Sequence, residues 1–160
     1  MELRKATEAD SMFLFNLRND LSVRETAFHT AEIHQDIHQR WLSSKLNSAH
    51  SQIYIAIVDG MPMGQIRFDF DDDYKRAEFD VAIVSAARGK GYGRQLIENG
   101  CQMLLAQYPQ VKIIAIIKKE NQASLKAFRS SGFELVGELD SDSSVYIRME
   151  KEWGTNIEVK

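Results

Sequence analysis

Three glycines at alternate positions, Gly89, Gly91 and Gly93, are interleaved with Arg88, Lys90, Tyr92 and Arg94. An apolar run ending in Ile83, Val84 and Ser85 leads into them, and an amphipathic stretch from Tyr92 to about Tyr108 follows at once. A strand, a glycine turn and a helix in that order offer unpaired backbone N–H groups and the positive end of a helix to phosphate. Glycine also lets the main chain approach a ligand closely and take positive φ. The spacing excludes two familiar phosphate loops. A Walker A loop needs four residues between its first glycine and Gly-Lys-Ser/Thr, and no Ser or Thr follows here to hold magnesium. A dinucleotide fingerprint G-x-G-x-x-G counted from Gly89 ends on Arg94, and it should open the fold, whereas this segment lies past the middle of the chain. What remains is a pyrophosphate grip of another kind, beside the plainer alternative of a glycine-rich surface turn.

Upstream, strand alternation places Glu78, Asp80 and Ala82 on one face and Phe79, Val81 and Ile83 on the other. Paired carboxylates at this point suit general acid–base work. The alternative, that Glu78 and Asp80 are ordinary solvent-face charges, stays open at this stage. Cys101 falls on the apolar stripe Leu96, Ile97, Gly100, Leu104, Leu105 and reads as a small core residue rather than a nucleophile. The four histidines, including His29, His34 and His50, show no metal spacing with any cysteine or carboxylate pair, so no metal is expected.

The elements that must position these residues follow from the periodicity. Leu3 to Ala6 is a short first strand. Thr7 to Asp10 is a capping-box-like start for a helix with the stripe Phe13, Leu14, Leu17 and Leu21. A second helix fits residues 32–46, where Ile33, Ile37, Trp41 and Leu42 share a face. Residues 52–58 and 63–70 form a hairpin around Asp59-Gly60. Asp71 to Asp73 is a solvated turn, and residues 74–85 are the strand that enters the glycine loop. Residues 111–117 are a continuous apolar strand expected to be buried on both faces. Asn121 caps a helix that runs through Ser130 and stops at Gly132. Residues 133–139 and 144–150 close the chain as an antiparallel pair. The order βααβββαβαββ describes an α+β fold with a mixed, mostly antiparallel sheet of about seven strands and about four helices.

Composition sets the outer limits. At 160 residues the chain fits one domain, expected over 1–153 with a frayed tail at 154–160. Its net charge of −3 argues against a nucleic-acid partner, which would demand a basic excess. No apolar run approaches the roughly 18 residues of a membrane span, and the first residues do not resemble a secretory signal. A single cysteine suits a reducing cytoplasm. A monomer or a homodimer is expected.

The loop Arg88-Gly89-Lys90-Gly91-Tyr92-Gly93 resembles the Arg-Gly-x-Gly-x-Gly/Ala signature of the GCN5-related N-acetyltransferase (GNAT) family, which binds acetyl-coenzyme A. A second signature of that family, Asn-x-x-Ala/Ser-x-x-x-Tyr/Phe-x-x-x-Gly-Phe, is matched by Asn121, Ser124, Phe128, Gly132 and Phe133. The order of strands and helices extends the likeness over nearly the whole chain. The resemblance implies an acyl-CoA N-acyltransferase fold in which the donor lies between two parallel strands, those of Ile83 and Ile114. A bulge in the first would free backbone groups of Ile83 and Ser85, with Val84 between them, for the pantetheine arm. One of those N–H groups would polarise the thioester carbonyl, an effect worth about 3 kcal/mol in comparable sites. Serine stands at 85 where the family usually has proline. Arg88, Gly89, Lys90, Gly91, Tyr92, Gly93 and Arg94 would cradle the pyrophosphate. Asn121, Lys126 and Phe128 would line the other side, although Asn121 serves equally as a plain helix cap.

The resemblance further implies Glu78 as the base, with Asp80 as its understudy. Phe128 replaces the tyrosine that donates a proton to the leaving thiolate in many relatives, so Tyr146, Tyr92 or water must serve. The N-terminal half is similar to a subgroup that acetylates amino sugars carried on nucleotides. That implies acceptor contacts from Arg18, Asn19, Arg24, Phe28, His38, Trp41 and Arg67, the arginines pairing with a diphosphate and the rings stacking on a base or sugar. Core packing competes for Trp41, and a half-buried hydrogen-bonding role for His38. The implied reaction is N-acetylation of a small-molecule amine. Alternatives are the same reaction on a protein N-terminus, a polyamine or an antibiotic, or a non-catalytic acyl-coenzyme A sensor.

Overall fold

The computed structural model describes residues 1–141 and 144–151, and the expected tail at 154–160 lies outside them. Seven strands form one sheet: β1 (Glu2–Lys5), β2 (Ser51–Val58), β3 (Met61–Phe70), β4 (Arg76–Ile83), β5 (Lys112–Lys118), β6 (Glu134–Ser141) and β7 (Ser144–Lys151). Their spatial order is β1-β2-β3-β4-β5-β7-β6, and every neighbouring pair is antiparallel except β4 with β5. Five α-helices accompany them: α1 (Ser11–Asn19), α2 (Leu21–Arg24), α3 (Gln35–Leu46), α4 (Tyr92–Gln107) and α5 (Gln122–Ser130). This is the expected α+β arrangement with one short helix more.

The extra helix has a local cause. Asp20 leaves the helical region at ψ 129°, and its carboxylate accepts the N–H of Ser22, so a new helix is capped where the first ends. Leu21 therefore leaves the α1 stripe and is 61% exposed. Thr7 does make a capping box, with Asp10, but on a single 3-10 turn (Glu8–Asp10) that precedes α1. The second long helix begins at Gln35 rather than Glu32. Asp59 and Gly60 both take positive φ, 50° and 76°, which makes the two-residue hairpin between β2 and β3. At the far end of α5, Phe133 N–H returns to Phe128 C=O and Gly132 N–H to Arg129 C=O. Gly132 sits at φ +86°, so the helix closes in a Schellman motif that only glycine accepts without strain.

Two apolar layers sandwich the sheet. On one side, Leu96, Ile97, Cys101 and Leu104 of α4 and Leu125 and Phe128 of α5 pack on Ile66, Phe68, Phe79, Ile113, Ala115 and Met149. The fit is close at Gly100, where an added Cβ would lie 2.4 Å from Ile66 Cδ1. On the other side, Leu14 of α1 and Leu42 of α3 cover Ile53 and Ile55 of β2. Cys101 is buried in the α4 layer as a core thiol, and burial pushes its pKa up to about 12. β5 is buried along most of its length, as its unbroken apolar run requires. The same-face residues Gln65, Arg67 and Asp69 of β3 and Glu78 and Asp80 of β4 face the α1–α3 side, with α4 packed behind them.

Candidate active site

The parallel ladder between β4 and β5 runs only from Arg76↔Lys112 to Phe79↔Ala115. Beyond it β4 stays with β3 as far as Ile83↔Gly64, while β5 stays with β7 as far as Lys118↔Tyr146. The sheet therefore splits along its middle. Which backbone groups face the split follows from alternation. Val84 N–H bonds to Met63 C=O on the β3 side, and Lys75 C=O accepts from Lys112 on the β5 side. Even-numbered residues of β4 thus turn to β3, and the odd-numbered Val81 and Ile83 turn their amides toward the gap. The expected phase of Ile83 is observed. The expected bulge is not: β4 pairs with β3 in unbroken register, and the gap arises because β5 diverges. Val84 is held by β3 and does not face the split. Ser85 begins a 3-10 turn (Ser85–Ala87), and its N–H has no partner among the described residues.

The glycine loop follows directly. Gly89 and Gly91 take φ of 74° and 81°, and an added Cβ at either, or at Gly93, would meet nothing within 4 Å. The first helical bond at this end is Gln95 N–H to Gly91 C=O, so the amides from Gly89 to Arg94 are not consumed by internal bonds among the described residues. Amides converging at a helix N-terminus form an anion cradle, and this one is open to solvent. Among its cations, Arg88 bends back to Ile83 C=O at 3.2 and 3.3 Å and Arg94 pairs with Glu98 at 2.7 Å, while Lys90 is exposed. Tyr92 is half-buried against the core behind α4. Coenzyme A carries a pyrophosphate and an extended amide-bearing arm, and the loop and the split strand fit those two parts in turn.

A cavity of about 440 Å³ joins the split to the α1–α3 face. Its walls include Val81 of β4, Ile116 of β5, Phe128 and Ser124 of α5, and Arg18, His38 and Trp41 from the helices opposite. Asn121 lines it too, with its carbonyl oxygen accepting Ser124 N–H at 3.2 Å as the helix cap, and its amide nitrogen has no partner among the described residues. Lys126 is exposed on α5 and does not reach the wall. Tyr146 is 3% exposed, lines the cavity, and its hydroxyl has no hydrogen-bond partner among the described residues.

Of the carboxylates, Asp80 is on the cavity wall and Glu78 is not. Asp80 Oδ2 accepts from Gln65 Nε2 at 2.8 Å and lies 3.6 Å from Arg67 Nη1. Desolvation, reinforced by the charge of Asp69, raises the Glu78 pKa above its ordinary range. Arg67 is spoken for: it bonds Asp69 at 2.7 Å and lies 5.2 Å from the Trp41 ring centroid. Burial opposes its charge, but Asp80 and Asp69 outweigh that and hold its pKa above the usual value. Asp69 in turn accepts from Lys45 at 2.7 Å and Ser51 at 2.9 Å. Burial and then the neighbouring Arg18 cation lower the His38 pKa, which keeps its imidazole neutral at pH 7.

The remaining acceptor candidates divide. Arg18, Phe28, His38, Trp41 and Arg67 come together on the cavity wall, whereas Asn19 and Arg24 do not. Both ends of the Asn19 amide are taken by the backbone of Ile33, at 2.8 and 2.9 Å, so Asn19 clamps the chain between α2 and α3. Arg24 faces Glu32 at 4.0 Å. Phe28 offers no free face to a sugar on its inner side, because it stacks on Tyr146. Trp41 is partly buried against the α1–α3 layer, with Arg67 over its ring, so core packing accounts for much of it. Gln65, Val81 and Ser124 are site residues that sequence reasoning missed. The signal for Gln65 was available: with Arg67 and Asp69 it makes a polar face on a strand whose other face is apolar.

Residues 1–134 match the acetyltransferase (GNAT) domain family. Spermidine N(1)-acetyltransferase of Escherichia coli (strain K12) is 22% identical over 141 residues, covering 87% of this chain and 75% of the relative. The crystal structure of spermidine N-acetyltransferase from Vibrio cholerae in complex with CoA and spermine superposes with a TM-score of 0.85 at 19% identity, over 94% of each chain. An aminoglycoside acetyltransferase, AAC(6')-Ib, solved with coenzyme A, gives 0.81 at 22% identity, again over 94% of each. With its open glycine cradle and divided sheet, the chain belongs to the GNAT family and is an N-acetyltransferase whose acetyl donor is acetyl-coenzyme A.

Proposed function

We propose that the acceptor is a small-molecule primary amine that also carries phosphate, with an amino-sugar nucleotide preferred. The observation that carries the acetyl-transfer reading is the split between β4 and β5, with the amides of Val81 and Ile83 turned toward it and the cavity at its mouth. The acceptor reading rests on charge. Arg18 and Arg67 lie on the cavity wall against one carboxylate there, Asp80, among the described residues. Arg67 is already paired with Asp69 and faces Asp80, so the cation left for a ligand is Arg18, whose buried Nη1 has no hydrogen-bond partner among the described residues and suits a phosphate oxygen.

In this reading the donor's acyl end lies along β4, where a freed amide stabilises the oxygen of the thioester as charge builds on it. The amine nitrogen attacks the thioester carbon and the carbon–sulfur bond breaks. Two protons leave nitrogen in the process. Asp80 takes each in turn and passes it to solvent, while the Tyr146 hydroxyl gives its proton to the departing sulfur and regains one from solvent, so one proton is released overall. Tyr146 thus fills the role that Phe128 cannot.

The specific support for a second reading, a polyamine or aminoglycoside acceptor, is the acidic trio Asp69, Glu78 and Asp80, together with the relatives that act on such amines. Asp69 is neutralised by Lys45 and Arg67, which weakens it. The deciding experiment is a thiol-release assay with acetyl-coenzyme A against UDP-linked amino sugars, spermidine and an aminoglycoside, paired with calorimetric titration of the donor. Turnover with the amino sugar alone supports the first reading, and turnover with the polycations alone supports the second. Tight donor binding without thiol release on any amine supports a sensor.

A further inference from the structure

Asp80 is held in an asymmetric way. Its Oδ2 takes the Gln65 Nε2 hydrogen bond at 2.8 Å and lies 3.6 Å from Arg67 Nη1, whereas Oδ1 has no partner among the described residues. Gln65, Arg67 and Asp80 all line the cavity. Gln65 is only 7% exposed, on β3 opposite Ala82, and Arg67 lies directly across the ladder from Asp80. Both donors are rigidly based. β3 is a central strand, and Arg67 is fixed by Asp69, which Lys45 and Ser51 hold from behind.

We propose that Gln65 and Arg67 are positioning residues that grip one oxygen of Asp80, so that its other oxygen faces the acceptor amine and takes its proton. The proposal rests on the N-acetyltransferase reading and adds to it how this chain's own residues aim the base. A neutral amide suits the task. It fixes a carboxylate in place while lowering its proton affinity less than a directly paired guanidinium would. Arg67 stands off at 3.6 Å with its shorter bond given to Asp69, so it holds Asp80 by charge rather than by a direct hydrogen bond. Burying a glutamine otherwise costs free energy unless its amide is bonded, and Asp80 is the partner found for it. Proton transfer is sensitive to placement, and loss of such a grip is expected to cost roughly 10- to 100-fold in kcat.

Two measurements test this. In 15N-labelled protein without any acceptor, the Gln65 side-chain amide is expected to respond to pH through the titration of its carboxylate partner, and to lose that response in Asp80→Asn. An amide that ignores acidification in the wild-type protein overturns the grip. In turnover, the probe amine is a UDP-linked 4-amino sugar and thiol release is followed. Gln65→Met is expected to lower kcat with the acetyl-coenzyme A KM unchanged. In an Asp80→Asn background the same change is expected to add nothing, because the residue it aims is gone. An equal fold-loss in both backgrounds overturns the proposal, as does a loss confined to donor KM. A protein that releases no thiol with any amine fails the N-acetyltransferase reading instead, and the amide titration then decides the grip by itself.

Discussion

The ring of Phe28 lies flat on that of Tyr146, with centroids 4.5 Å apart and planes 12° from parallel. The contact ties the segment between α2 and α3 to β7, and Lys118 Nζ reinforces it by bonding Glu25 C=O at 3.0 Å. Stacked rings of this kind add about 0.5–1.5 kcal/mol beyond the area they bury. The pair therefore fixes the Tyr146 ring on the cavity wall, and its hydroxyl has no hydrogen-bond partner among the described residues.

Tyr146→Phe is expected to keep the stack and remove only the hydroxyl proposed as proton donor. Turnover should fall roughly 10- to 100-fold while donor KM stays unchanged, as for loss of a general acid. Steady-state thiol release reads both quantities. Unaltered kcat would assign the proton to water.

Gly91→Val is expected to abolish measurable donor affinity by calorimetry. The position sits at φ +81°, where a β-branched residue is strained, and the new side chain would stand among the amides of the cradle. Gly93→Ala, in a helical conformation with open space around it, should weaken binding far less. Equal binding by wild type and Gly91→Val would remove the loop from the donor site.

Glu78 links the site to pH-dependent stability. Its folded pKa is raised, first by desolvation and then by Asp69, so its favourable contribution is complete below the ordinary value of 4.5 and is lost as pH rises through the folded value. Glu78→Gln removes a charge that partial desolvation and the neighbouring Asp69 disfavour on a side chain that is still solvent-exposed, so the gain is small. Thermal melts should show the variant gaining on wild type at neutral pH and not at acidic pH. Its turnover should fall less than that of Asp80→Asn, the residue on the wall. A larger loss in Glu78→Gln would return the base role to Glu78.

Gly64→Ala should destabilise the fold beside the split. An added Cβ would lie 2.5 Å from Ala82 C=O and 2.7 Å from Ile83 Cδ1, and the first of these is backbone that cannot step aside. Overpacking of this kind costs about 1–3 kcal/mol, or roughly 2–12 °C in Tm for a chain of this size. An unchanged melt would mean that β3 and β4 can separate at Ile83.

Arg18→Gln tests the acceptor. If Arg18 holds a phosphate, losing that charge-assisted bond removes about 1.5–3 kcal/mol and raises the amino-sugar KM roughly tenfold to hundredfold. Acetyl-coenzyme A affinity should not move.

The donor side of the site was legible because it is local. Gly89, Gly91 and Gly93 announce their turn, and Asn121, Phe128 and Gly132 mark both ends and the buried face of α5, each within a few residues of chain. Alternation alone separated Glu78 and Asp80 from Phe79 and Ile83. The acceptor side was harder, since its walls come from α1, α3, β3 and β7, and nothing near Asn19 reveals that Ile33 will claim its amide. Arg67 looked available because its partners, Asp69 and the Trp41 ring, meet it only once β3 and α3 are packed. The opening between β4 and β5 was legible only through the family resemblance, and its cause, divergence of β5 rather than a bulge in β4, was not, because both strands continue in regular register with their other neighbours.

By letting go of each other past Phe79 and Ala115, the two central strands give the protein a sheet edge in its interior. Ordinary edges are hazards, open to any passing chain. This one is flanked by helices on both faces, and the narrow gap between the strands suits a slender amide-bearing molecule. What such a visitor reads is main chain rather than side chain. Substitutions such as Val81→Ile can therefore alter the packing around the strand and still leave its recognition intact.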